Sequence, residues 1–298
     1  MNNIKIKAYG KVNLSLDVTG VRNDGYHVIR TVMQKISLHD DVDVTWTPSK
    51  TDKIEISLDC NRPYLPKDSR NLAYQAAVIM GDSFGEKAGG GKIQINIEKR
   101  LPVAAGLAGG SGNGAAVIIA LNKLWKLGLN TRQLCRISSD IGADVPFCIL
   151  TQNTRYGCAL CEGTGTELTP LRSKMRKGIL LVKPSFGVST REVYKGIDKC
   201  IIPQRPDTEA LVKGLKEINE QLIYENMVNV LEEYTLDKYD EVKCLKEKIK
   251  TETNAEKVLM TGSGPTVFGL FAGVSEAQKA CAAMRSGGYE AYWATTLY

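Results

Sequence analysis

The stretch of small residues between Lys99 and Ala115 carries the clearest chemical signal in the sequence. It contains five glycines, at positions 106, 109, 110, 112 and 114, and an apolar segment follows it. Glycine permits positive φ angles and lets backbone N–H groups approach a ligand closely. A helix that begins at such a loop adds unpaired N–H donors and the positive end of its dipole. The segment therefore predicts a cradle for a phosphate group.

Two known nucleotide-binding loops can be compared with this stretch. A Walker A loop ends in Gly-Lys-Ser or Gly-Lys-Thr, whereas the Gly91-Lys92 pair of this sequence is followed by Ile93. Residues 110–115 fit a loose Gly-x-Gly-x-x-Ala dinucleotide-binding pattern, but the predicted strand ends several residues earlier. The acidic residue that should hold a ribose about 20 residues further on is also missing. A P-loop ATPase is excluded, and a Rossmann-type oxidoreductase stays as an alternative.

Three further segments place reactive side chains at short spacings. Lys11 and Asn13 stand two apart in an alternating run, so both should point from one face of a strand. Asp144 lies in a turn of small residues, and residues 261–266 form a second glycine-rich loop. Taken alone, each segment can have a purely structural role: Lys11 as a surface lysine, Asp144 as a carboxylate in a turn, and residues 261–266 as a connection between strands.

The elements that must position these segments can be predicted from hydrophobic periodicity. Alternating runs predict strands at 4–19, 41–46, 53–58 and 92–98, and further strands at 156–160 and 178–182. Helices are predicted at 72–80 with a stop at Gly81, at 113–127, from Thr131 to about Ile141, and near 207–222 and 237–251. The chain should end as strand, helix and strand over 258–271, 275–284 and 289–297.

Strands are grouped before helices in this pattern rather than alternating with them one for one. Such grouping predicts an α+β protein with mainly antiparallel sheets. We expect a domain boundary near residue 160, which gives domains 1–160 and 161–298.

Composition narrows the function further. The 298 residues are 43% hydrophobic, and the longest apolar run, 115–121, is far shorter than the ~20 residues of a membrane span. Eight scattered cysteines do not form a disulfide framework, and two histidines cannot build a multi-histidine metal centre. The net charge of +6 is spread along the chain, which suits an anionic small-molecule substrate rather than nucleic acid. We expect a cytoplasmic protein with no metal site of its own, no membrane or nucleic-acid partner, and a monomeric or homodimeric state.

Taken together, the motifs resemble the GHMP kinase superfamily, which includes galactokinase, homoserine kinase and mevalonate kinase. The motifs occur in the order of that superfamily and span nearly the whole chain: Lys11-Val12-Asn13-Leu14, Arg22-Asn23-Asp24-Gly25-Tyr26-His27, Arg70-Asn71-Leu72, residues 99–113, Gly142-Ala143-Asp144-Val145-Pro146 and Thr261-Gly262-Ser263-Gly264. Asp24-Gly25-Tyr26-His27 after the lysine motif is similar to one branch in particular. That branch phosphorylates the 2-hydroxyl of a cytidine diphosphate-linked methylerythritol, in the methylerythritol phosphate route to isoprenoid precursors.

The resemblance implies a two-domain fold with the active site between the domains. The N-terminal domain would be like ribosomal protein S5 domain 2 and would carry the phosphate loop, and the C-terminal domain would be ferredoxin-like. ATP would be the co-substrate, with Mg²⁺ accompanying it. Lys11 and Asp144 match the catalytic pair of the superfamily. Asp144 would accept the proton of the substrate hydroxyl, and Lys11 would keep that carboxylate ionised and neutralise the charge that develops.

The resemblance also implies the binding residues. Asn71 and Lys99 match positions near the adenosine, and the ATP phosphates would lie on the loop formed by Pro102, Val103, Ala104, Ala105, Gly106, Leu107, Ala108, Gly109, Gly110, Ser111, Gly112 and Asn113. The acceptor would be bound by Asn13 at its methylerythritol end, by Tyr26, His27 and Tyr194 at its cytidine, and by Gly262 and Ser263.

The glycine loop departs from the pattern usual in the superfamily, Gly-Leu-Gly-Gly-Gly-Ser-Ser-Asn-Ala. Ala108, Gly112 and Gly114 replace a Gly, the second Ser and the final Ala. Ser111 and backbone N–H groups must then hold the phosphates. Another GHMP kinase with a different alcohol acceptor stays as an alternative.

Overall fold

A computed structural model describes residues 2–50 and 53–298, apart from the side chain of Asn2. The strands are β1 (Asn2–Val21), β2 (His27–Pro48), β3 (Ile54–Cys60), β4 (Gly91–Glu98), β5 (Cys158–Glu162), β6 (Glu167–Leu171), β7 (Gly178–Lys183), β8 (Lys257–Met260), β9 (Val267–Phe271) and β10 (Glu290–Thr295). The helices are α1 (Leu72–Ala88), α2 (Gly109–Leu124), α3 (Thr131–Ser138), α4 (Val145–Asn153), α5 (Thr190–Ile197), α6 (Thr208–Glu217), α7 (Glu220–Glu225), α8 (Glu232–Lys238), α9 (Asp240–Glu252) and α10 (Val274–Ser286). In the described part of the chain, no helix has the length and apolar character needed to cross a membrane.

The chain forms two compact units that interleave along the sequence. The first unit contains Met1–Gly10, His39–Leu101 and Ala108–Arg155, and the second contains Lys11–Leu38, Pro102–Leu107 and Tyr156–Tyr298. The interleaving arises because β1 and β2 each begin in one unit and end in the other. The single domain boundary expected near residue 160 stays a prediction.

The first unit is built on the strands β2, β3 and β4. β4 pairs antiparallel with β2 and parallel with β3, and α1 supplies the crossover that two parallel neighbours require. Along β4 the isoleucines 93, 95 and 97 are buried while their neighbours are not, which is the period of two that the sequence predicts. α2 packs against α1 and α4, and its residues 115–121 are all buried.

The predicted limits of α1 and α2 differ from the observed limits because both helices contain glycines. α1 begins at the predicted residue but runs through Gly81 to Ala88, so the predicted stop at Gly81 is wrong. A glycine inside a helix costs only about 1 kcal/mol relative to alanine, and burial of one face of α1 offsets that loss. The helix ends at Gly89 instead, where φ is +73°.

α2 starts at Gly109 rather than at the predicted Asn113. The stretch between Lys99 and Ala115 is called the phosphate segment, and its last glycines therefore form the first helical turns. They follow Ala108, which has a left-handed conformation with φ of +56°. The helix also ends at Leu124, short of the predicted Leu127.

Other predicted boundaries shift for local reasons. Asn130 rather than Thr131 caps α3, through a reciprocal pair of hydrogen bonds with Gln133, and α3 ends before Ile141. Asp144 is followed directly by α4, where the sequence predicts only a turn. β6, α5 and α8 were not predicted.

The second unit contains β5 and β6 beside the first part of β2, and a separate sheet with strand order β10-β7-β9-β8. The neighbours in that sheet are all antiparallel. Strand, helices, two strands, helix and strand follow one another along the chain in the ferredoxin-like manner. The predicted ferredoxin-like C-terminal fold is confirmed, although the strand predicted at 258–271 is divided by the loop 261–266 and the helix predicted at 207–222 is divided at Ile218, where φ is +58°.

Candidate active site

Lys11 and Asn13 lie on one face of β1, as their spacing predicts. Lys11 Nζ donates a hydrogen bond to Asn13 Oδ1 at 2.8 Å, and both residues are buried. The amide orientation of Asn13 is set by Thr31, because Asn13 Nδ2 donates to Thr31 Oγ1 at 2.8 Å. Thr31 in turn donates to the carbonyl of Ser15. This chain of hydrogen bonds directs the amide oxygen of Asn13 toward the ammonium group and fixes the end of the Lys11 side chain.

Two glycine-containing segments of the second unit meet beside Lys11. Gly106 adopts φ of +69°, and a Cβ atom there would lie 2.5 Å from the carbonyl oxygen of Thr261. Gly262 has φ of +59°, and a Cβ atom there would lie 3.6 Å from Lys11 Nζ. The Lys11 backbone N–H donates to the carbonyl of Leu107 at 3.1 Å. The ammonium group therefore lies beside a left-handed glycine backbone, and Gly106 allows its own segment to approach the Thr261 carbonyl closely, an arrangement suited to an anionic ligand.

The motif at residues 22–27 folds into a tight turn between β1 and β2. Gly25 has φ of +82°, Gly25 N donates to Arg22 O, and Arg22 N donates to Tyr26 O. The Asp24 carboxylate accepts from Tyr26 N at 3.1 Å and pairs with Arg22 at 2.9 Å. The turn is thus held by its own residues, and the Tyr26 side chain is left 67% exposed. That exposure excludes a core-packing role for Tyr26 within its unit.

The structure brings His27 and Tyr194 together, although 167 positions separate them in the sequence. Their ring centroids lie 5.1 Å apart with an interplanar angle of 42°. Tyr194 is on α5, where its ring is half-buried against the core of the second unit. One turn later, Asp198 Oδ1 lies 2.9 Å from His27 Nε2. Asp198 was missed because α5 itself was not predicted, and without that helix no spacing rule connects Asp198 to Tyr194.

Ser263 joins the second glycine loop to the start of the same helix. Its hydroxyl lies 2.9 Å from the hydroxyl of Thr190, the first residue of α5. The helix is capped by Ser189, whose side chain accepts from Glu192 N. The helix that presents Tyr194 is therefore tied to the loop of Gly262 and Ser263.

In the first unit, Lys99 is held by a buried carboxylate. Asp40 has no exposed surface, accepts hydrogen bonds from the backbone N–H groups of Arg100 (2.7 Å) and Leu101 (2.8 Å), and forms an ion pair with Lys99. Asn113 completes the cluster, donating to Asp40 at 2.9 Å and accepting from Lys99 Nζ at 3.3 Å. Asp40 was also missed from the sequence.

The same cluster places a cation at the phosphate segment. A Cβ atom on Gly109 would lie 2.7 Å from Lys99 Nζ, so the ammonium group contacts the first turn of α2. Gly112 and Gly114, two of the departures from the usual loop, lie close to backbone carbonyls. A Cβ atom would be 3.3 Å from Tyr9 O at Gly112 and 3.1 Å from Leu72 O at Gly114. The glycines allow α2 to pack closely on its neighbours.

Asn71 and Asp144 both precede helices but use their side chains differently. Asn71 caps α1, accepting from Ala73 N at 3.0 Å and donating to Pro66 O at 2.9 Å. Asp144 occupies the N-cap position of α4, where its side chain makes no capping hydrogen bond.

Comparison with known proteins defines the class. Residues 71–152 match the model of the GHMP kinases N terminal domain, and residues 208–290 match that of the GHMP kinases C terminal domain. The chain belongs to the GHMP kinase family. The predicted α+β fold with two domains of this family is confirmed, and the Rossmann-type alternative is wrong.

Individual relatives narrow the comparison within the family. The 4-diphosphocytidyl-2-C-methyl-D-erythritol kinase of Clostridium botulinum is 45% identical over 93% of this chain and 94% of its own length. The enzyme of the same name from Clostridium novyi is 41% identical over 98% of this chain and 99% of its own. A crystal structure of 4-(cytidine 5'-diphospho)-2C-methyl-D-erythritol kinase superposes with a TM-score of 0.79 at 30% identity, covering 99% of this chain and 100% of that one. Homoserine kinase from Cytophaga hutchinsonii shares the fold, with a TM-score of 0.70 at 19% identity, over 100% of this chain and 96% of its own.

Proposed function

We propose that the protein transfers the γ-phosphoryl group of ATP to the 2-hydroxyl of 4-diphosphocytidyl-2-C-methyl-D-erythritol. The observation that carries this proposal is the contact between the His27 and Tyr194 rings. His27 directly follows the exposed Tyr26 in the sequence. A cytosine ring has a flat π-face and a polar edge, so it requires an aromatic surface and a polar reader. Relatives that are 41–45% identical to this chain over nearly its whole length are named as kinases of this compound. The reaction serves isoprenoid precursor synthesis.

The phosphate segment is the proposed ATP site. Backbone N–H groups at the start of α2 and the positive end of its dipole bind the phosphates, and Lys99, ion-paired with Asp40, lies against the same turn. Asn71 and Lys99 remain the proposed contacts on the adenosine side. Phosphoryl transfer depends mainly on positioning and on charge neutralisation, and this arrangement supplies both.

Mg²⁺ is expected to enter with ATP and to neutralise charge on the phosphate oxygens. Enzymes usually hold it through one or two side chains together with the phosphates of the substrate. Within residues 2–50 and 53–298, no group of three or more His, Cys, Asp or Glu side chains could hold a metal ion. The hydroxyl of Ser111, in the first turn of α2, is an oxygen donor of the kind that Mg²⁺ prefers. We propose Ser111 as its protein ligand.

Asp144 is proposed as the base for the acceptor hydroxyl and Lys11 as the stabilising cation, as the resemblance to the family implies. The hydroxyl oxygen attacks the γ-phosphorus, the bond from that phosphorus to the bridging oxygen of ADP breaks, and the hydroxyl proton passes to the Asp144 carboxylate. Lys11, fixed by Asn13, stabilises the negative charge that develops. Asn13, Gly262 and Ser263 are the proposed contacts to the methylerythritol end. A cytoplasmic location, a monomeric or homodimeric state and the lack of nucleic-acid or membrane partners stay predictions.

ADP release by the purified protein tests the proposal. With ATP and Mg²⁺, we expect release with 4-diphosphocytidyl-2-C-methyl-D-erythritol and none above background with mevalonate, homoserine or galactose. Release with a different acceptor would keep the chemistry and remove the substrate assignment. Failure with every acceptor, despite measurable ATP binding, would point to the altered glycine loop.

The variant Asp144→Asn tests the proposed role of Asp144 as the base. An amide has nearly the same shape but cannot accept the hydroxyl proton, so kcat should fall by roughly 10²- to 10⁴-fold. ATP affinity and the thermal unfolding curve should stay close to those of the parent protein. Near-normal turnover by the folded variant would show that Asp144 is not the base.

A further inference from the structure

The end of α5 carries a carboxylate whose position helix stability does not explain. Asp198 is the C-cap residue of α5, where the negative end of the helix dipole disfavours an acidic side chain. Its backbone N–H donates to Gly196 O, but its side chain points to His27, 171 positions away in sequence. The Asp198 side chain is 45% exposed and that of His27 only 10%. The carboxylate thus lies at the edge of the unit, with the imidazole beneath it.

Tyr194 and Asp198 reach the same imidazole from one stripe of the helix. Residues four apart on a helix lie on the same face, and this pair contacts His27 in two different ways. The Tyr194 ring is tilted at 42° to the imidazole with its centroid 5.1 Å away, while Asp198 hydrogen-bonds the ring at Nε2. The imidazole is therefore held by contact with an aromatic ring and, at one nitrogen, by a carboxylate.

The carboxylate also decides which ring nitrogen carries the proton. A carboxylate oxygen only accepts hydrogen bonds, so the neutral imidazole must keep its proton on Nε2 at a separation of 2.9 Å from Asp198 Oδ1. Nδ1 then has a lone pair and acts as an acceptor. We propose that Asp198 is a positioning residue that makes His27 select cytosine over uracil. The inference rests on the proposed function, because it requires a cytidine-bearing acceptor.

The selection follows from the donor and acceptor groups of the two bases. Cytosine carries a 4-amino group, a donor, where uracil carries a carbonyl oxygen, an acceptor. An acceptor at Nδ1 of His27 can receive a hydrogen bond from the amino group but faces the lone pairs of the uracil carbonyl. Without Asp198 the proton can move to Nδ1, and the ring can then donate to uracil. Removing the carboxylate should therefore weaken discrimination more than it weakens binding.

Nucleotide binding by the full chain tests this inference. Calorimetry at about pH 8 would compare cytidine diphosphate with uridine diphosphate for the parent protein, Asp198→Ala and Asp198→Asn. We expect the ratio of the two dissociation constants to fall by roughly tenfold in Asp198→Ala, the effect of one directed hydrogen bond, and by less in Asp198→Asn, whose amide oxygen can still accept from His27 Nε2. The KM for ATP should not change. Asp237→Ala, at an exposed position of α8, is the control for the lost charge and should keep the ratio of the parent.

A spectroscopic measurement separates a positioning role from a structural one. The chain has only two histidines, so ¹⁵N spectra of the imidazoles contain two rings, and His39→Gln identifies the signals of His27. The parent protein should show His27 protonated at Nε2, and Asp198→Ala a mixture of both tautomers. A parent protein without cytidine preference removes the proposed function and this inference together. A parent that prefers cytidine, with variants that keep both the preference and the tautomer, removes only the role of Asp198.

Discussion

At the scale of single residues, the ion pair of Asp40 and Lys99 differs from the other charge pairs of the first unit because water does not reach it. The Asp40 side chain is fully buried and that of Lys99 is 5% exposed. Replacement by Lys99→Met would leave the Asp40 carboxylate buried without its counter-charge, and the expected loss is about 3–5 kcal/mol of unfolding free energy. Urea denaturation of the folded variant measures this loss.

The control for this prediction is Lys67→Met. Lys67 pairs with Asp59 at 2.6 Å, but both side chains are about half exposed or more, so its loss should change stability by no more than about 1 kcal/mol. The double variant Lys99→Met with Asp40→Asn should recover part of the loss, because an amide oxygen still accepts from Arg100 N and Leu101 N. A similar small effect of Lys99→Met and Lys67→Met would contradict a stabilising role for the buried pair.

The sequence predicts that two interacting residues lie close together only where both stand on the same strand or helix. Lys11 and Asn13 lie on one strand, and the two-residue period was enough to place them together. Asp40 with Lys99, and His27 with Asp198, are joined by tertiary packing across 59 and 171 positions. No periodicity links such partners, so their contacts emerge only from the fold.

At the scale of elements, the glycines of the phosphate segment serve different purposes, and substitution can distinguish them. Gly106 has a left-handed backbone, and an added Cβ atom would lie 2.5 Å from Thr261 O. Gly110 lies in the first turn of α2, where an added Cβ atom would meet only the Leu72 side chain, with Cδ1 at 3.6 Å and Cγ at 3.9 Å. We expect Gly106→Ala to reduce stability by about 1–3 kcal/mol, because it combines backbone strain with a clash. Gly110→Val should fold and should raise the KM for ATP much more than that for the acceptor.

Two measurements decide between these roles. Thermal unfolding separates Gly106→Ala from Gly110→Val, and steady-state kinetics gives both KM values for each folded variant. Gly110→Ala, with the smallest possible side chain, should fall between the parent and Gly110→Val. Equal effects of Gly110→Val on the two substrates would count against the phosphate cradle.

Element boundaries show how far local sequence rules reach. The alternating runs place β1, β3 and β4, and along β4 the burial of the side chains alternates as the sequence does. The same rules treated Gly81 and the glycines at 109, 110 and 112 as breaks, although all four lie inside helices. Gly81 lies beside Ile54, and Gly112 lies beside the backbone of Tyr9. A glycine required for close packing and a glycine in a loop have the same sequence signature, so the helix limits could not be predicted.

At the scale of the whole molecule, burial divides the eight cysteines, all of which are free thiols, into reactive and protected groups. Burial raises the pKa of Cys158 to about 12 and that of Cys135 to about 11, whereas Cys244 is exposed. Because the thiolate is the nucleophile, alkylation of the native protein at about pH 8 should modify Cys244 first. Cys135 and Cys158 should react only when urea unfolds the chain. Peptide mass spectrometry after timed alkylation measures this order, and Cys244→Ser should remove the fast phase.

The same raised pKa values give stability a defined dependence on alkaline pH. An unfolded thiol with an ordinary pKa near 9 loses its proton first, while native Cys158 holds its proton up to about pH 12. Between these values the native state binds more protons than the unfolded state, so the contribution of this thiol is complete below about pH 9 and is lost as pH rises. Cys158→Ala should therefore weaken the decline of the unfolding free energy between pH 9 and pH 11 relative to the parent. Cys244→Ala is the matched control, and an equal change in slope for both variants would mean that burial does not hold the proton on Cys158.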